Sequence, residues 1–382
     1  MRIAIVHDDL TQRGGAERVV EAMHQIWPDA PVYTSVYDPT GTFSSFAQMD
    51  VRTSFMQKIP FAARAKYSKL FLPLYPIAFE TLDLRGYDVV LSHGTRFSQG
   101  VLTSPETCHI HYCHTPARFA WRYYEYVEEG QFGRLARILL PVIIHHLRQW
   151  DQLAAQRIDY FFSNSYNIAR RVLKFYRRDS DILYPPIDVM RFAIVDNPSS
   201  DYLLVVSRLL PYKRVDLAIE ACNQLKIRLK VVGSGPDLQR LKSLAGPTVE
   251  VLGRVPDGEV EGLFANCRAF LFPGEEDFGI APLEAMAAGR PVIAYRAGGA
   301  METVLEGDTG LFFSEPTVAS LVEAIGRLNH STFAPARLRA HAETFSLEAF
   351  QKRLQRLVDL RLAEHRARYD PISPQPEGTW RS

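Results

Sequence analysis

A loop rich in acidic residues, followed by the start of a helix, is the segment whose residue types most clearly suggest chemistry. It covers residues 274–289 and holds the carboxylates of Glu276 and Glu284. Glu276 falls on the loop and Glu284 in the first helical turn, so the two should face different parts of one ligand. Carboxylates accept hydrogen bonds from hydroxyl groups, which suits a diol. The alternative is that Glu284 only complements the helix dipole and Glu276 is solvated.

The beginning of the same helix predicts an anion site. Pro282 favours the first turn of a helix. Backbone N–H groups at a helix N-terminus attract anions. The groups in question belong to Phe278, Gly279 and Ile280.

A basic loop forms the second cluster, with Arg208, Lys213 and Arg214 after a predicted strand. At ~4 Å and an effective dielectric constant near 20, each charge pair is worth roughly 4 kcal/mol. Two cations could therefore hold a diphosphate and stabilise it as a leaving group without a metal ion. Asp8 and Asp9 are adjacent and do not form an Asp-x-Asp metal motif, so we expect no metal. The alternative is a solvated basic surface loop.

Two glycine-containing turns are weaker candidates for close approach of a ligand to the backbone. Gly14 and Gly15 precede a helix, and Gly233 and Gly235 follow a strand. Neither turn has the dinucleotide spacing Gly-x-Gly-x-x-Gly. Ordinary βα turns also use such glycines.

The run from Cys108 to His114 alternates cysteine and histidine with other residues and invites a zinc assignment. Its alternation also fits a buried strand, whose side chains point to opposite faces. No second ligand cluster in the sequence completes a zinc site. We therefore predict a strand, with His114 at its carboxyl end free to reach a ligand.

The elements that position these residues are apolar runs alternating with helical patterns, which indicates an α/β fold with parallel sheets. The alternation breaks near residues 184–188 and 196–200 and then restarts. We predict two doubly wound, Rossmann-like domains facing a central cleft. The expected ranges are residues 1–190, residues 198–344, a helix over 345–368 that crosses back to the first domain, and a flexible tail over 369–382.

Composition narrows the class of protein. The 382 residues carry 44 Lys+Arg against 43 Asp+Glu, a formal net charge of +1, which argues against a nucleic-acid partner. The four cysteines lack the spacing of a disulfide framework, which favours a reducing compartment. No secretory leader and no window of roughly 20 apolar residues is found. We expect a cytoplasmic protein.

Two segments suggest peripheral contact with an anionic membrane. Residues 52–72 interleave basic residues with aromatics and leucines, and residues 132–150 combine an apolar run with arginines and histidines. Such patterns are typical of interfacial helices. A helix packed on its own domain with its basic residues outward is the alternative.

Taken in order, these motifs resemble the retaining glycosyltransferases of family 4, which have the GT-B fold. The pieces that carry the likeness are Gly14-Gly15, His114-Thr115-Pro116, the Arg208/Lys213 loop, Gly233-Ser234-Gly235, and the Glu276/Glu284 pair. The likeness extends to about residue 360. Within the family, the segments around His114, Pro185-Pro186, Lys213 and Phe278 look most like the branch of O-antigen and exopolysaccharide mannosyltransferases.

The resemblance implies a role for each matching residue. Arg208 and Lys213 would bind the donor diphosphate, Glu284 the ribose, and Glu276 with the Phe278, Gly279 and Ile280 amides the transferred sugar. Gly14 and Gly15 would close over the diphosphate, and His114 would contact the sugar near the reacting centre. Gly233 and Gly235 would line the donor site. No metal or other cofactor would be required.

The implied reaction moves mannose from GDP-mannose to a lipid-linked saccharide acceptor at the inner face of the cytoplasmic membrane. A UDP- or ADP-sugar donor is one alternative. A nucleotide-sugar epimerase of the same architecture is another, and it would act without an acceptor. A binding protein that keeps the fold without turnover is a third.

Overall fold

The computed structural model describes residues 1–61, 63, 71–123, 134–195 and 201–369. Its residues group into two compact units. The first contains residues 1–164, 168–183 and 351 onward, and the second contains residues 165–167 and 184–350. The predicted flexible tail lies almost entirely outside the described residues, as does the turn at 196–200.

The first unit is built on a seven-stranded parallel sheet in the order β3-β2-β1-β4-β5-β6-β7. Its strands are β1 (Ile3–His7), β2 (Val32–Thr34), β3 (Val51–Thr53), β4 (Val89–Gly94), β5 (Cys108–Cys113), β6 (Tyr160–Ser163) and β7 (Ser180–Ile182). Its helices are α1 (Gly15–Ile26), α2 (Tyr75–Glu80), α3 (Arg118–Trp121), α4 (Arg134–Gln156) and α5 (Tyr166–Tyr176). The central strands β1, β4 and β5 are buried along their whole length, as expected for a parallel sheet covered on both faces.

The second unit has a six-stranded parallel sheet in the order β10-β9-β8-β11-β12-β13. Its strands are β8 (Leu203–Val206), β9 (Leu229–Val232), β10 (Val249–Gly253), β11 (Ala269–Phe272), β12 (Val292–Tyr295) and β13 (Gly310–Phe313). Its helices are α6 (Val215–Leu225), α7 (Leu238–Leu244), α8 (Asp257–Asn266), α9 (Ala281–Ala287), α10 (Ala300–Thr303), α11 (Val318–Leu328) and α12 (Pro335–Glu343). The last helix, α13 (Leu347–Tyr369), groups with the first unit from residue 351.

The boundary between the units differs from the predicted one. Residues 184–190 were expected in the first domain, but they lie in the second unit. Ile187 forms an isolated bridge with Ser346, and Val189 and Phe192 pack into the second unit's core. The chain therefore enters the second unit at the first proline-rich break.

Two strands and two helices were missed, and one helical segment was overextended. The strands Val51–Thr53 and Ser180–Ile182 are three-residue strands at the sheet edges, and both are partly exposed. Helices α5 and α12 were also missed. The sequence pattern over residues 55–82 also predicts a long, irregular helical insertion. This prediction is wrong in its described part, which holds only a 3-10 turn at Phe55–Lys58, a short 3-10 turn just after the gap and the six-residue helix α2.

A buried carboxylate, Asp151 on α4, joins several elements of the first unit. It accepts hydrogen bonds from Gln99 Nε2 (2.5 Å), Trp121 Nε1 (2.7 Å) and the Tyr176 hydroxyl (2.9 Å). Burial outweighs these three donors and raises the pKa of Asp151 to about 7. In an unfolded chain the same group titrates near pH ~3.9.

This difference predicts a pH-dependent stability. The favourable contribution of protonated Asp151 is complete below about pH 4 and is lost as the pH rises through about 7. Relative to Asp151→Asn, wild type should lose about 2–3 kcal/mol of unfolding free energy between about pH 5 and about pH 8. Urea denaturation of both proteins across that range measures it. The variant keeps all the other titrating groups. If the unfolding free energies of the two proteins changed with pH in parallel, the raised pKa assigned to Asp151 would be contradicted.

Candidate functional site

The two sequence clusters of the second unit meet at one edge of its sheet. In open parallel sheets, ligands bind beyond the carboxyl ends of strands, where the strand order reverses. Here the reversal falls between β8 and β11. The loop after β8 carries Arg208 and Lys213, and the loop after β11 carries Glu276. The sheet therefore brings together groups that the sequence separates by more than sixty residues.

Lys213 and Glu276 form an ion pair across this edge, between Nζ and Oε1. The two side chains are only 12% and 22% exposed. The Lys213 Nζ also lies 5.1 Å from the centre of the Tyr212 ring. Gly274 makes the approach possible, because a Cβ there would lie 2.7 Å from the Lys213 carbonyl oxygen. The site thus holds a partly desolvated positive charge in a fixed place.

The three cations of the basic loop have different surroundings. Arg208 is exposed, and its guanidinium pairs with no carboxylate in the part of the chain that the structure describes. Arg214 lies 3.3 Å from Asp216, between Nε and Oδ1. Arg214 also adopts a left-handed backbone, with φ of 50°, just before α6. Arg208 therefore faces solvent, whereas Lys213 and Arg214 are each paired with a carboxylate.

A glycine pair that sequence reasoning missed, Gly298-Gly299, packs against the backbone of the loop that carries Glu276. Gly299 donates its backbone N–H to the Glu276 carbonyl at 2.9 Å. A Cβ at Gly298 would lie 2.3 Å from the same carbonyl oxygen, and one at Gly299 would lie 2.3 Å from the Cα of Phe278. The sequence signal that could have indicated this pair is a Gly-Gly dipeptide after β12, similar to Gly14-Gly15 after β1.

The role of the backbone N–H groups of residues 278–280 toward an anion stays a prediction, and the surroundings of these residues are as follows. Phe278 is buried and stacks on Tyr184 with ring centres 5.5 Å apart, so its side chain belongs to the core. Gly279 has φ of +85°, and a Cβ there would lie 2.7 Å from the Phe272 ring. Ile280 precedes α9, which is only seven residues long.

Glu284 lies in the first turn of α9, as expected, and is half-buried. Its backbone N–H donates to the Ile280 carbonyl at 3.1 Å. Pro282 occupies the start of the helix, which confirms the sequence prediction for that boundary. The role of Glu284 toward a ribose stays a prediction.

Gly233 and Gly235 have a packing role in this structure. Gly233 has φ of +141°, and a Cβ there would lie 1.8 Å from the Ser207 carbonyl oxygen. A Cβ at Gly235 would lie 2.2 Å from the carbonyl oxygen of Leu209, whose backbone N–H donates to Ser234. Both glycines therefore let the turn after β9 pack directly on the basic loop that carries Arg208.

In the first unit, histidines occupy the carboxyl ends of adjacent strands. The strand order reverses between β1 and β4, which end at His7 and Gly94. His93 Nδ1 lies 2.8 Å from His114 Nε2, and the His7 and His93 rings stack with centres 4.4 Å apart. His114 is thus positioned by buried imidazoles. Burial and the neighbouring histidines hold the pKa of His93 well below its usual value, so His93 is neutral.

Glu17 is a second group in this unit that sequence reasoning missed. Its Oε1 lies 3.6 Å from His7 Nε2, and both side chains are almost completely buried. Burial alone would lower the pKa of His7, but the hydrogen bond and charge of Glu17 outweigh it and raise that pKa. Gly14 leaves room for this carboxylate, because a Cβ at Gly14 would lie 2.7 Å from Glu17 Oε2. Gly15 is exposed.

The adjacent carboxylates of Asp8 and Asp9 already have partners within the protein. Asp8 accepts backbone hydrogen bonds from Thr95 (2.7 Å), Phe97 (2.8 Å) and Ser98 (2.9 Å). Asp9 pairs with Arg96. Burial works to raise the pKa of Asp8, yet Arg96 and the other groups lower it overall. These contacts fix the turn after β4 and account for both carboxylates.

The two predicted membrane segments are described only in part. Residues 62, 64–70 and 132–133 of these segments lie outside the described residues. On α4, Leu139 and Val142 are 53% and 58% exposed, on the same face as the exposed His146. No helix among the described residues is long and apolar enough to cross a membrane. Membrane contact stays a prediction.

Sequence comparisons place part of the chain in a family. Residues 187–345 match the profile described as "Glycosyl transferases group 1". The chain is 28% identical to the alpha-1,3/1,6-mannosyltransferase ALG2 of Homo sapiens, over 93% of this chain and 95% of that protein. It is 31% identical to the GDP-mannose-dependent alpha-(1-6)-phosphatidylinositol monomannoside mannosyltransferase of Mycolicibacterium smegmatis, over 47% of this chain. That match spans about half, 51%, of the mycobacterial relative.

Solved structures match almost the whole chain. Sucrose-phosphate synthase from Thermosynechococcus elongatus superposes with a TM-score of 0.73 at 17% identity, covering 95% of this chain and all of that one. HepE of Anabaena gives a TM-score of 0.68 at 17% identity, with coverage of 94% and 100%. Residues 187–345 therefore resemble the glycosyl transferases group 1 family, and the two parallel-sheet units have the fold of the GT-B glycosyltransferases, as the sequence resemblance implied.

Proposed function

We propose that this protein transfers mannose from GDP-mannose to a lipid-linked saccharide acceptor, with retention of the anomeric configuration. The observation that carries the proposal is the Lys213–Glu276 pair beside the exposed Arg208 at the sheet edge of the group 1 domain. The names of the two mannosyltransferase relatives support the choice of sugar. A family 4 enzyme of the polysaccharide mannosyltransferase branch fits both observations.

The chemistry assigned to the two cations is stabilisation of the departing diphosphate. Charge develops on the phosphate oxygens as the bond to the sugar breaks, and preorganised cations stabilise that charge most effectively in a partly desolvated site. Glu276 holds the Lys213 side chain at this position until the diphosphate replaces it as the partner. No metal ion has a role in this step of the proposal.

The remaining site residues hold the donor and the acceptor. Glu284 would bind the ribose hydroxyls, and Glu276 would hold the mannose through its hydroxyl groups. His114 would contact the sugar near the reacting carbon, with His93 orienting its ring through the 2.8 Å hydrogen bond. The acceptor hydroxyl would pass its proton to the departing phosphate. A cytoplasmic position at the inner face of the membrane follows from the lipid-linked acceptor.

A thermal-shift panel tests the donor. GDP-mannose, UDP-glucose and ADP-glucose are each titrated against the protein, and GDP-mannose should raise the melting temperature most. A ligand at about 100 times its dissociation constant adds about 2.7 kcal/mol of stability. GDP and free mannose serve as controls for the two halves of the donor. A larger response to UDP-glucose or ADP-glucose would overturn the donor assignment but leave glycosyl transfer in place.

A further inference from the structure

Three side chains that commonly bind metals meet at the amino-terminal edge of the first unit's sheet. The Cys108 thiol, the Asp159 carboxylate and the His365 ring each offer a ligand atom, and these atoms lie within 4.8 Å of one another. Cys108 is the first residue of β5, Asp159 immediately precedes β6, and His365 is on α13. The sequence alone predicted that no second cluster would complete a site around Cys108. The fold supplies one, and all three residues belong to the same unit.

The hydrogen bond at one nitrogen of His365 determines which tautomer its neutral ring adopts. His365 Nε2 lies 3.0 Å from the Pro105 carbonyl oxygen. A carbonyl oxygen can only accept, so Nε2 carries the hydrogen, and in the neutral ring Nδ1 then carries the lone pair. His365 is 2% exposed, and Nδ1 has no hydrogen-bond partner. Metal-binding histidines commonly donate their second ring N–H to a backbone carbonyl in this way.

The unpartnered nitrogen faces a carboxylate. His365 Nδ1 lies 3.6 Å from Asp159 Oδ2, and two lone-pair atoms at this separation repel unless a cation or proton lies between them. Asp159 is itself held in place, because Oδ2 accepts the backbone N–H of His109 at 2.8 Å. The Cys108 thiol makes only a long contact, 3.9 Å from the Arg361 carbonyl oxygen. Each of the three groups is thus positioned by the backbone and lacks a strong side-chain partner.

Two arginines near this cluster, Arg361 and Arg178, bind groups other than the Asp159 carboxylate. Arg361 forms two ion pairs, with Asp181 and Glu364. Arg178 donates to the backbone carbonyl of Asp159 at 2.9 Å. No Lys or Arg side chain among the described residues forms an ion pair with the Asp159 carboxylate.

We propose that Cys108, Asp159 and His365 bind a Zn²⁺ ion that fastens α13 to the first unit's sheet. A mixed sulfur, nitrogen and oxygen set suits Zn²⁺, whereas Mg²⁺ and Ca²⁺ prefer oxygen ligands. Ligands of tetrahedral zinc lie at about 2.0–2.3 Å from the metal, so the three groups need to close by about 1 Å. A water molecule would take the fourth position. Binding converts the Cys108 thiol to a thiolate and releases its proton to solvent.

This site is separate from the proposed glycosyl transfer. Cys108 begins β5, whereas His114 follows its carboxyl end. Five residues of parallel strand span roughly 17 Å, which places the metal far from the predicted sugar contact. A chelator should therefore lower stability and leave turnover unchanged. This pairing of results also distinguishes a structural ion from a metal cofactor of the transfer reaction.

Cobalt substitution of the full-length, untagged, chelator-treated protein tests the proposal. We expect one equivalent of Co²⁺ to give the ligand-field bands of a tetrahedral site and a thiolate-to-cobalt charge-transfer band. Zn²⁺ should displace Co²⁺ and raise the melting temperature. Cys108→Ser should abolish the charge-transfer band. His365→Gln should abolish binding, since glutamine keeps a donor for Pro105 but lacks the Nδ1 lone pair.

The matched control is Cys222→Ser, because Cys222 is also buried and burial raises its thiol pKa, like that of Cys108, to about 12. This variant should bind Co²⁺ like wild type. Absence of a stoichiometric Co²⁺ complex in wild type would overturn the proposal even if a variant failed to fold. Retention of the charge-transfer band in Cys108→Ser would also overturn it. Donor binding by the thermal-shift panel should be the same in all four proteins, so the two proposals fail independently.

Discussion

Lys213→Ala should reduce turnover about 10²–10³-fold, the loss expected when one preorganised charge stabiliser is removed from a reacting centre. In the structure, the Lys213 side chain is 12% exposed and its ammonium group is paired with Glu276. A diphosphate leaving group that replaces Glu276 as its partner would therefore meet a positive charge that is already desolvated. Initial rates of transfer from GDP-mannose, at saturating donor and acceptor, measure the effect.

The same substitution should leave the protein folded. The Lys213 and Glu276 side chains are 12% and 22% exposed, so the loss of stability should stay below the roughly 3–5 kcal/mol that breaking a fully buried pair costs. Rates should therefore be compared at a temperature well below the melting temperature of Lys213→Ala. Lys242→Ala removes an exposed lysine on α7 and controls for the change in net charge. Near-normal transfer by Lys213→Ala would refute the diphosphate role, whereas equal losses in both variants would point to a general charge effect.

Gly299→Ala should weaken donor binding about 10–100-fold, although the residue need not touch the donor. Its backbone φ of −66° tolerates any residue, so the effect is purely steric. The new Cβ would lie 2.3 Å from the Phe278 backbone, and the loop from Glu276 to Phe278 must move. Overpacking of this kind costs about 1–3 kcal/mol, which corresponds to the stated range if the loop binds the donor. Equilibrium titration with GDP-mannose well below the melting temperature measures it.

Two other glycines provide controls for that experiment. Gly310→Ala would place a Cβ 2.2 Å from the Val292 carbonyl oxygen, so it should destabilise the second unit without moving the loop. Gly326 lies within α11 with no atom near its added Cβ, so Gly326→Ala should stabilise by up to about 1 kcal/mol. If Gly310→Ala weakened donor binding as much as Gly299→Ala, the effect would reflect stability and not the loop.

Strands with a continuous apolar run can be predicted from the sequence. β8 and β11 are buried almost throughout, and a continuous apolar run is the expected pattern for the middle of a parallel sheet. The missed strands β3 and β7 lie at the sheet edges and contain charged residues. Their positions depend on pairing with a neighbour, which no local pattern reports.

The site was predictable where function requires a residue type at a strand end, and not where residues support each other across the fold. Arg208, Lys213 and Glu276 follow strands that meet at the strand-order reversal, so their clustering follows from fold class. Glu17 looked like an ordinary acidic residue in a first helical turn, and only the fold places it beside His7. The residues near Cys108 are similarly distant in sequence: Asp159 lies just before β6, and His365 lies on the last helix.

The return of α13 to the first unit determines the order in which the protein can be completed during synthesis. Residues 184–350 emerge from the ribosome before residues 351–369, which the first unit needs. Those residues bury Leu354, Val358 and Leu362 and bring Arg361 to Asp181. The unit made first is therefore finished last, and its apolar surface under α13 stays uncovered while the second unit is being made. Such a nascent intermediate is where aggregation and chaperone binding should concentrate.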